Sequence, residues 1–152
     1  MFRGINSIHV DDKGRLAVPT RYRYRLQTDA KGQLIVTIDT EERCLLLYPL
    51  PEWEIIEKKI EALPSFNKAA RRIQRLLIGH ATEVEMDSHG RILLPPPLRD
   101  YANVRKGIML VGQGKKFEIW DEVRWHETRE DWIKTDLKSS GPLPPELEIL
   151  SL

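Results

Sequence analysis

The chain has 152 residues, enough for one domain or for two half-domains sharing a core, and its 41% apolar content is enough to fill one. A formal net charge of +1 excludes polycation behaviour, so attraction to nucleic acid has to come from local patches. No apolar run reaches membrane-spanning length, the first residues lead into strand-like alternation rather than a signal peptide, and the single cysteine, Cys44, permits no internal disulfide and fits a reducing cytoplasm.

In chain order, residues 2–10 place Phe2, Ile5, Ile8 and Val10 in a rough alternation, which predicts an irregular strand. Asp12, Lys13 and Gly14 form a turn, and Arg15 to Val18 return as a strand that Pro19 ends. Thr20 is a helix cap candidate for a short helix over 21–26, and 28–32 reads as loop. Residues 33–38 and 44–48 read as strands, the second placing Cys44 in a buried run. Pro49 and Pro51 precede a helix on which Trp53, Ile56, Ile60 and Leu63 share one stripe. Pro64 to Asn67 break the chain before a helix over 68–80. Its expected inner face is Ala69, Ile73, Leu76, Leu77 and His80, with Arg71, Arg72 and Arg75 mostly outside.

The second half repeats the pattern. Residues 82–86 and 91–94 read as strands around Ser88, His89 and Gly90, and Pro95, Pro96 and Pro97 stop the second strand. A helical turn over 98–102 follows, then strands over 107–112 and 117–120. Asp121 is expected to cap a helix to about Lys134. Residues 139–145 look like a linker, and Leu147, Ile149, Leu150 and Leu152 form an apolar tail.

One stretch occurs twice. Val10-Asp11-Asp12-Lys13-Gly14-Arg15-Leu16-Ala17-Val18-Pro19 aligns with Met86-Asp87-Ser88-His89-Gly90-Arg91-Ile92-Leu93-Leu94-Pro95 at an offset of 76, and Arg23 and Arg99 keep the same offset. Tyr48 and Trp53 recur as Trp120 and Trp125 at an offset of 72, so a shorter turn region is expected in the second copy. Units of about 50 residues rarely stand alone, so two sharing one core in a pseudo-twofold pairing is the natural solution. The expected layout is 1–63 and 82–134 as two half-domains, each with its following helix, 64–81 as the link and 135–152 as a tail.

Charge is uneven. Residues 1–76 hold 14 Lys and Arg against 10 Asp and Glu, whereas 77–152 hold 10 against 13. Hairpins bearing Arg15 and Arg91 can enter a DNA major groove. The plain alternative is that Asp11–Arg15 and Asp87–Arg91 are ion pairs that only hold the hairpins. A recognition helix over 68–80 and a non-catalytic protein-interaction scaffold are further alternatives. An enzyme finds no support: His9, His80, His89 and His126 lack metal-ligand spacing, no serine elbow is present, and neither cofactor nor metal is called for.

Further distinctive runs are the opening Met1-Phe2-Arg3-Gly4, Leu47-Tyr48-Pro49-Leu50-Pro51-Glu52-Trp53, Gln74-Arg75-Leu76-Leu77, Gly79-His80-Ala81 and the final Ser151-Leu152. With both Asp-x-x-x-Arg motifs, and taken end to end, the chain resembles the MraZ family of bacterial transcriptional regulators. The resemblance implies a mainly β fold with added helices, a pseudo-dimeric swapped-hairpin AbrB-like barrel, and homo-oligomeric rings, typically octameric. It also implies a cytoplasmic, nucleoid-associated regulator, typically a repressor, of the division and cell-wall gene cluster. Such a regulator binds double-stranded promoter DNA at short direct repeats. Carried to this chain, the contacts fall on Arg15 and Arg91, with Asp11, Gly14, Asp87 and Gly90 as their structural partners. Lys13 is added on charge, with His89 as its less basic counterpart, and Arg3 and Arg21 are added as steering residues.

Overall fold

The computed structural model describes residues 1–136 and 141–151. The chain divides into a unit of Met1–Glu122 and a unit of Val123–Leu152. Each repeat supplies the same series of elements. The first gives β1 (Phe2–His9), β2 (Arg15–Ala17), α1 (Thr20–Ala30), β3 (Gln33–Ile38) and β4 (Leu45–Pro49). Next come α2 (Leu50–Glu61), α3 (Lys68–Ile73) and a π-helical turn over Gln74–Ile78. The second gives β5 (Thr82–Glu85), β6 (Arg91–Leu93), α4 (Pro96–Tyr101), β7 (Gly107–Gly114) and β8 (Phe117–Asp121), before α5 (Glu122–Lys134) and α6 (Pro145–Glu148).

The sheet order is β1-β7-β8-β4-β3-β5, with β2 and β6 forming a separate two-stranded ladder. Exchanging each strand for its repeat partner reverses this order onto itself, which is the pseudo-twofold relation expected from the repeat. The first strand of each repeat pairs with the other repeat: β1 lies antiparallel to β7, and β5 antiparallel to β3. Register confirms the equivalence, since Leu45 pairs with Ile119 while Leu47 pairs with Phe117. His9 pairs with Gly107 as Glu85 pairs with Gln33, so the offset falls from 76 to 74 at these strands and to 72 at β4 and β8. The missing four residues are therefore lost in two places, in the helix, where α4 has 6 residues against 11 in α1 and a longer connection follows it, and in the β7–β8 turn.

The fold is mainly sheet with helices, built on two repeats. The barrel implied by the resemblance is not found closed among the described residues, because the long sheet ends on β1 and β5. Alternation along β2 and β6 sends Leu16 and Ile92 inward with Val18 and Leu94, all essentially without exposure. They join Phe2, Tyr22 and Phe117, whose ring centroids lie 4.4 to 5.9 Å apart in edge-to-face and tilted contacts, in one core drawn from both repeats. Sharing this apolar surface supplies what neither half could bury alone.

Several local expectations change. Thr20 does not cap α1: Pro19 holds that position, with no side-chain cap, and the helix runs on through Ala30 to a left-handed Lys31. Pro96 and Pro97 open α4 rather than only ending β6, because proline lacks only an N–H that the first helical turn leaves unused. Likewise Pro51 lies within the first turn of α2, which ends at Glu61, leaving Leu63 beyond it and exposed. Cys44 is buried but precedes β4, whereas Asp121, the last residue of β8, directly precedes α5 as expected. In α3 the buried alanine is Ala70, not Ala69. Gln74 explains this: its amide donates to Ile60 O at 3.1 Å and Leu63 O at 3.4 Å, turning that face toward the end of α2. Ser139, Ser140 and Leu152, assigned to linker and tail, lie outside the described residues. In the second unit, Trp125 and Trp132 meet edge to face at 6.1 Å.

Candidate nucleic-acid interface

Both Asp-x-x-x-Arg segments close the same turn. Asp11 Oδ1 accepts the backbone N–H groups of Lys13 and Arg15, each at 2.9 Å, and Oδ2 accepts Arg15 Nε at 2.8 Å. Asp87 repeats the set with His89 N, Arg91 N and Arg91 Nε, all at 2.9 Å. Gly14 N–H donates to Asp11 O and Gly90 N–H to Asp87 O, both at 3.0 Å. These glycines have φ of +86° and +75°, a region costly for residues with a Cβ.

The hairpins are joined across the pseudo-twofold. β2 and β6 pair antiparallel, Arg15 opposite Leu93, Leu16 opposite Ile92 and Ala17 opposite Arg91. Val18 N–H donates to Gly90 O at 2.8 Å and Leu94 N–H to Gly14 O at 3.0 Å, extending the ladder into each turn. Since Leu16 and Ile92 point inward, Arg15, Ala17, Arg91 and Leu93 share the outward face of the ribbon. Arg15 and Arg91 sit diagonally on it, with Cα atoms roughly 8 Å apart from strand rise and spacing. A two-stranded ribbon is of a size that a DNA major groove admits.

The ion pairs engage only one edge of each arginine. Both pairs are about one-third to two-fifths exposed, a setting in which an ion pair adds little stability. The two backbone N–H groups already fix each aspartate and close each turn. Each guanidinium is held only through Nε, and its Nη edge has no partner among the described residues. That edge is the one that forks onto a guanine or a phosphate. Aspartate thus orients the arginine and leaves its Nη edge free.

The same hydrogen bonds lower both aspartate pKa values below the ordinary 3.8, chiefly through the backbone N–H of Arg15 for Asp11 and of Arg91 for Asp87. A depressed native value means that the stabilisation is complete above the ordinary value and is lost as pH falls through the native one. The amide resonances of Lys13 and Arg15 should therefore hold steady from pH 8 to about pH 5. Their acid transition should have its midpoint below 3.8, and a midpoint above that value would contradict the clamp.

The other expected residues divide. Lys13 and His89 are exposed at the two tips, and Ser88 Oγ lies 3.3 Å from His89 Nδ1. Arg3 is exposed near the far end of β1, separated from Asp11 by extended chain on the order of 25 Å long. Arg21 reaches β1 as well, donating through Nη2 to Asn6 Oδ1 and the Tyr22 hydroxyl, each at 2.7 Å. The tips thus gather Lys13, Arg15, His89 and Arg91, but neither Arg3 nor, through its contacts, Arg21. Arg71, Arg72 and Arg75 are exposed, on a six-residue helix and the π-helical turn after it.

Two residues not expected at the tips are found there. A Cβ added at Gly14 would lie 2.5 Å from Arg99 Cζ, and one added at Gly90 would press on Arg23. Each arginine crosses to the turn of the other repeat. Their recurrence at the motif offset was the available signal, but the crossing was not visible in sequence.

A family model described as "MraZ protein, putative antitoxin-like" matches residues 1–76 and again 77–139. The chain belongs to the MraZ family. Over all 152 residues, and over the full length of each relative, it is 61% identical to a protein of Coxiella burnetii (strain Dugway 5J108-111). It is 56% identical to one of Legionella pneumophila (strain Corby) and 52% to one of Halorhodospira halophila (strain DSM 244 / SL1). All three relatives are named "Transcriptional regulator MraZ", a regulator's name and not an enzyme's. Among the described residues no helix is long and apolar enough to cross a membrane.

Proposed function

We propose that this protein is a sequence-specific DNA-binding transcriptional regulator that reads double-stranded promoter DNA through the β2–β6 ribbon. The observation that carries this reading is the placement of Arg15 and Arg91 on one outward face, each oriented by an aspartate and each with a free Nη edge. The names of full-length relatives at 52 to 61% identity support the regulatory role. In this reading Arg15 and Arg91 contact bases or the adjacent backbone, Lys13 and His89 approach phosphates at the tips, and Arg3 and Arg21 add only to the longer-range field.

The family resemblance extends the proposal. The two half-domains, 1–63 and 82–134, form a swapped-hairpin AbrB-like pair, linked by 64–81 and followed by a tail over 135–152. The swapped first strands, β1 on β7 and β5 on β3, support it. The protein acts in the cytoplasm on the nucleoid, as a repressor at short direct repeats upstream of the division and cell-wall gene cluster. It does so as a homo-oligomeric ring, typically of eight subunits. One ribbon offers few cations, so several ribbons on successive repeats gain through effective concentration.

The test is a salt-series titration of the intact assembly against duplex DNA from upstream of its own gene, with a scrambled duplex beside it. Expected is preference for the native duplex, with affinity falling linearly on logarithmic axes as salt rises. Equal binding to both would reduce the protein to a non-specific DNA binder. Binding to neither would overturn the reading in favour of a protein scaffold.

A further inference from the structure

The motif residues alone leave each tip without charge. Asp11, Asp12, Lys13 and Arg15 sum to zero formal charge, and so do Asp87 and Arg91 with His89 neutral. Such a tip has no net attraction for a polyanion. The structure supplies the missing cation from elsewhere. Arg99 lies against the Gly14 turn and Arg23 against the Gly90 turn, each coming from the opposite repeat.

Both side chains are held in place. Arg23 Nε donates to Val18 O at 2.6 Å, and Arg99 Nε donates to Leu94 O at 2.9 Å. Val18 and Leu94 are the residues whose N–H groups bond Gly90 O and Gly14 O, so each arginine is tied to the strand that braces the turn it covers. Both are half-buried, yet neither forms an ion pair among the described residues. Arg15 and Arg91 are each shared with an aspartate, whereas Arg23 and Arg99 keep their full charge. A half-buried guanidinium pinned through Nε, with no carboxylate within ion-pair distance among the described residues, is arranged to receive an anion, even though Asp87 lines the same surface recess as Arg23. The turn amides at the tips are already satisfied by Asp11 and Asp87, so the guanidinium ends are the free donors there.

We infer that Arg23 and Arg99 are phosphate-binding residues, each giving the opposite repeat's hairpin tip the unneutralised cation that its own Asp–Arg pair lacks. The inference rests on the DNA reading above and assigns a division of labour. Arg15 and Arg91 read on the face of the ribbon, while Arg99 and Arg23 grip the backbone at its two ends. A Cβ at Gly14 or Gly90 would meet the crossing arginine, in addition to the positive φ that already favours glycine there.

The experiment compares wild type, Arg23→Gln/Arg99→Gln and Arg23→Lys/Arg99→Lys, as intact assemblies, in salt series on the native and scrambled duplexes. Glutamine keeps a planar donor near Val18 O and Leu94 O while removing charge; lysine keeps the charge. The glutamine variant should lose about tenfold or more in affinity on both duplexes alike. Its slope of log affinity against log salt should shrink by about 0.9 for each phosphate contact removed. Preference between duplexes should stay within about twofold of wild type, because phosphate contacts carry no direct sequence information. The lysine variant should recover most of the slope. An unchanged slope in folded glutamine variant, with only a lower melting temperature, would overturn the inference and leave the arginines as braces. Loss of preference with an unchanged slope would also overturn it, making them base readers. Wild type binding neither duplex would overturn the DNA reading itself, and this inference with it.

Discussion

Replacing Arg15 and Arg91 together by alanine should cost at least about 100-fold in affinity for the native duplex and erase its preference over a scrambled one. One well-placed arginine on a base edge is worth roughly 1–3 kcal/mol of discrimination, and the ribbon presents two. The fold should survive. Each ion pair is too exposed to add much stability, and Asp11 and Asp87 keep their backbone N–H partners in the variant. Arg15→Lys/Arg91→Lys separates charge from geometry: it should retain the salt dependence but not the preference, because an ammonium has no planar fork. Arg71→Ala/Arg72→Ala/Arg75→Ala is the comparison. If the exposed arginines around α3 only face solvent, this variant should stay within about threefold of wild type on the native duplex. A large loss there, with Arg15→Ala/Arg91→Ala unaffected, would move DNA recognition to residues 68–80.

The sequence showed which residues are equivalent but not how the equivalent parts meet. The constant offset of 76 made Asp11, Gly14, Arg15 and their counterparts visible, because a repeated turn needs the same glycine and the same carboxylate twice. Pairing of β2 with β6 left no such trace. Each strand is three residues long, too short for a distinctive pattern, and the partners lie 76 residues apart. Hence the shared outward face of Arg15 and Arg91 emerged only from the register. Arg23 and Arg99 were visible as repeated residues, yet their placement depends on the same crossing. Arg21 shows the converse: its charge and sequence position suggest a residue free to steer toward phosphates, whereas its guanidinium is engaged with Asn6 and Tyr22. Ala70 was missed for a different reason. The inner face of α3 is turned by Gln74, a polar residue that a search for apolar stripes passes over. The π-helical turn over Gln74–Ile78 then changes the phase of the residues that follow.

Gly14→Ala and Gly90→Ala should each destabilise the protein by about 1–3 kcal/mol, from the left-handed backbone and the displaced arginine together. A thermal or denaturant melt measures the sum, and a double-mutant cycle divides it. In Gly90→Ala the new methyl presses on Arg23, so the arginine has to leave Val18 O, whereas in Gly90→Ala/Arg23→Ala that conflict is gone. The double variant should therefore be less destabilised than the two single losses added, by more than about 0.5 kcal/mol, the usual scatter of additivity. What remains is the cost of a positive φ alone. Gly79→Ala is the internal control. Its φ is −60° and nothing lies within 4 Å of an added Cβ, so it should be neutral or stabilise by up to about 1 kcal/mol. Full additivity at Gly90 and Arg23 would mean that the arginine yields without cost, and would detach it from the turn it covers. Coupling would show that the two repeats are locked together at the tips, each turn being shaped to admit a side chain from the other half.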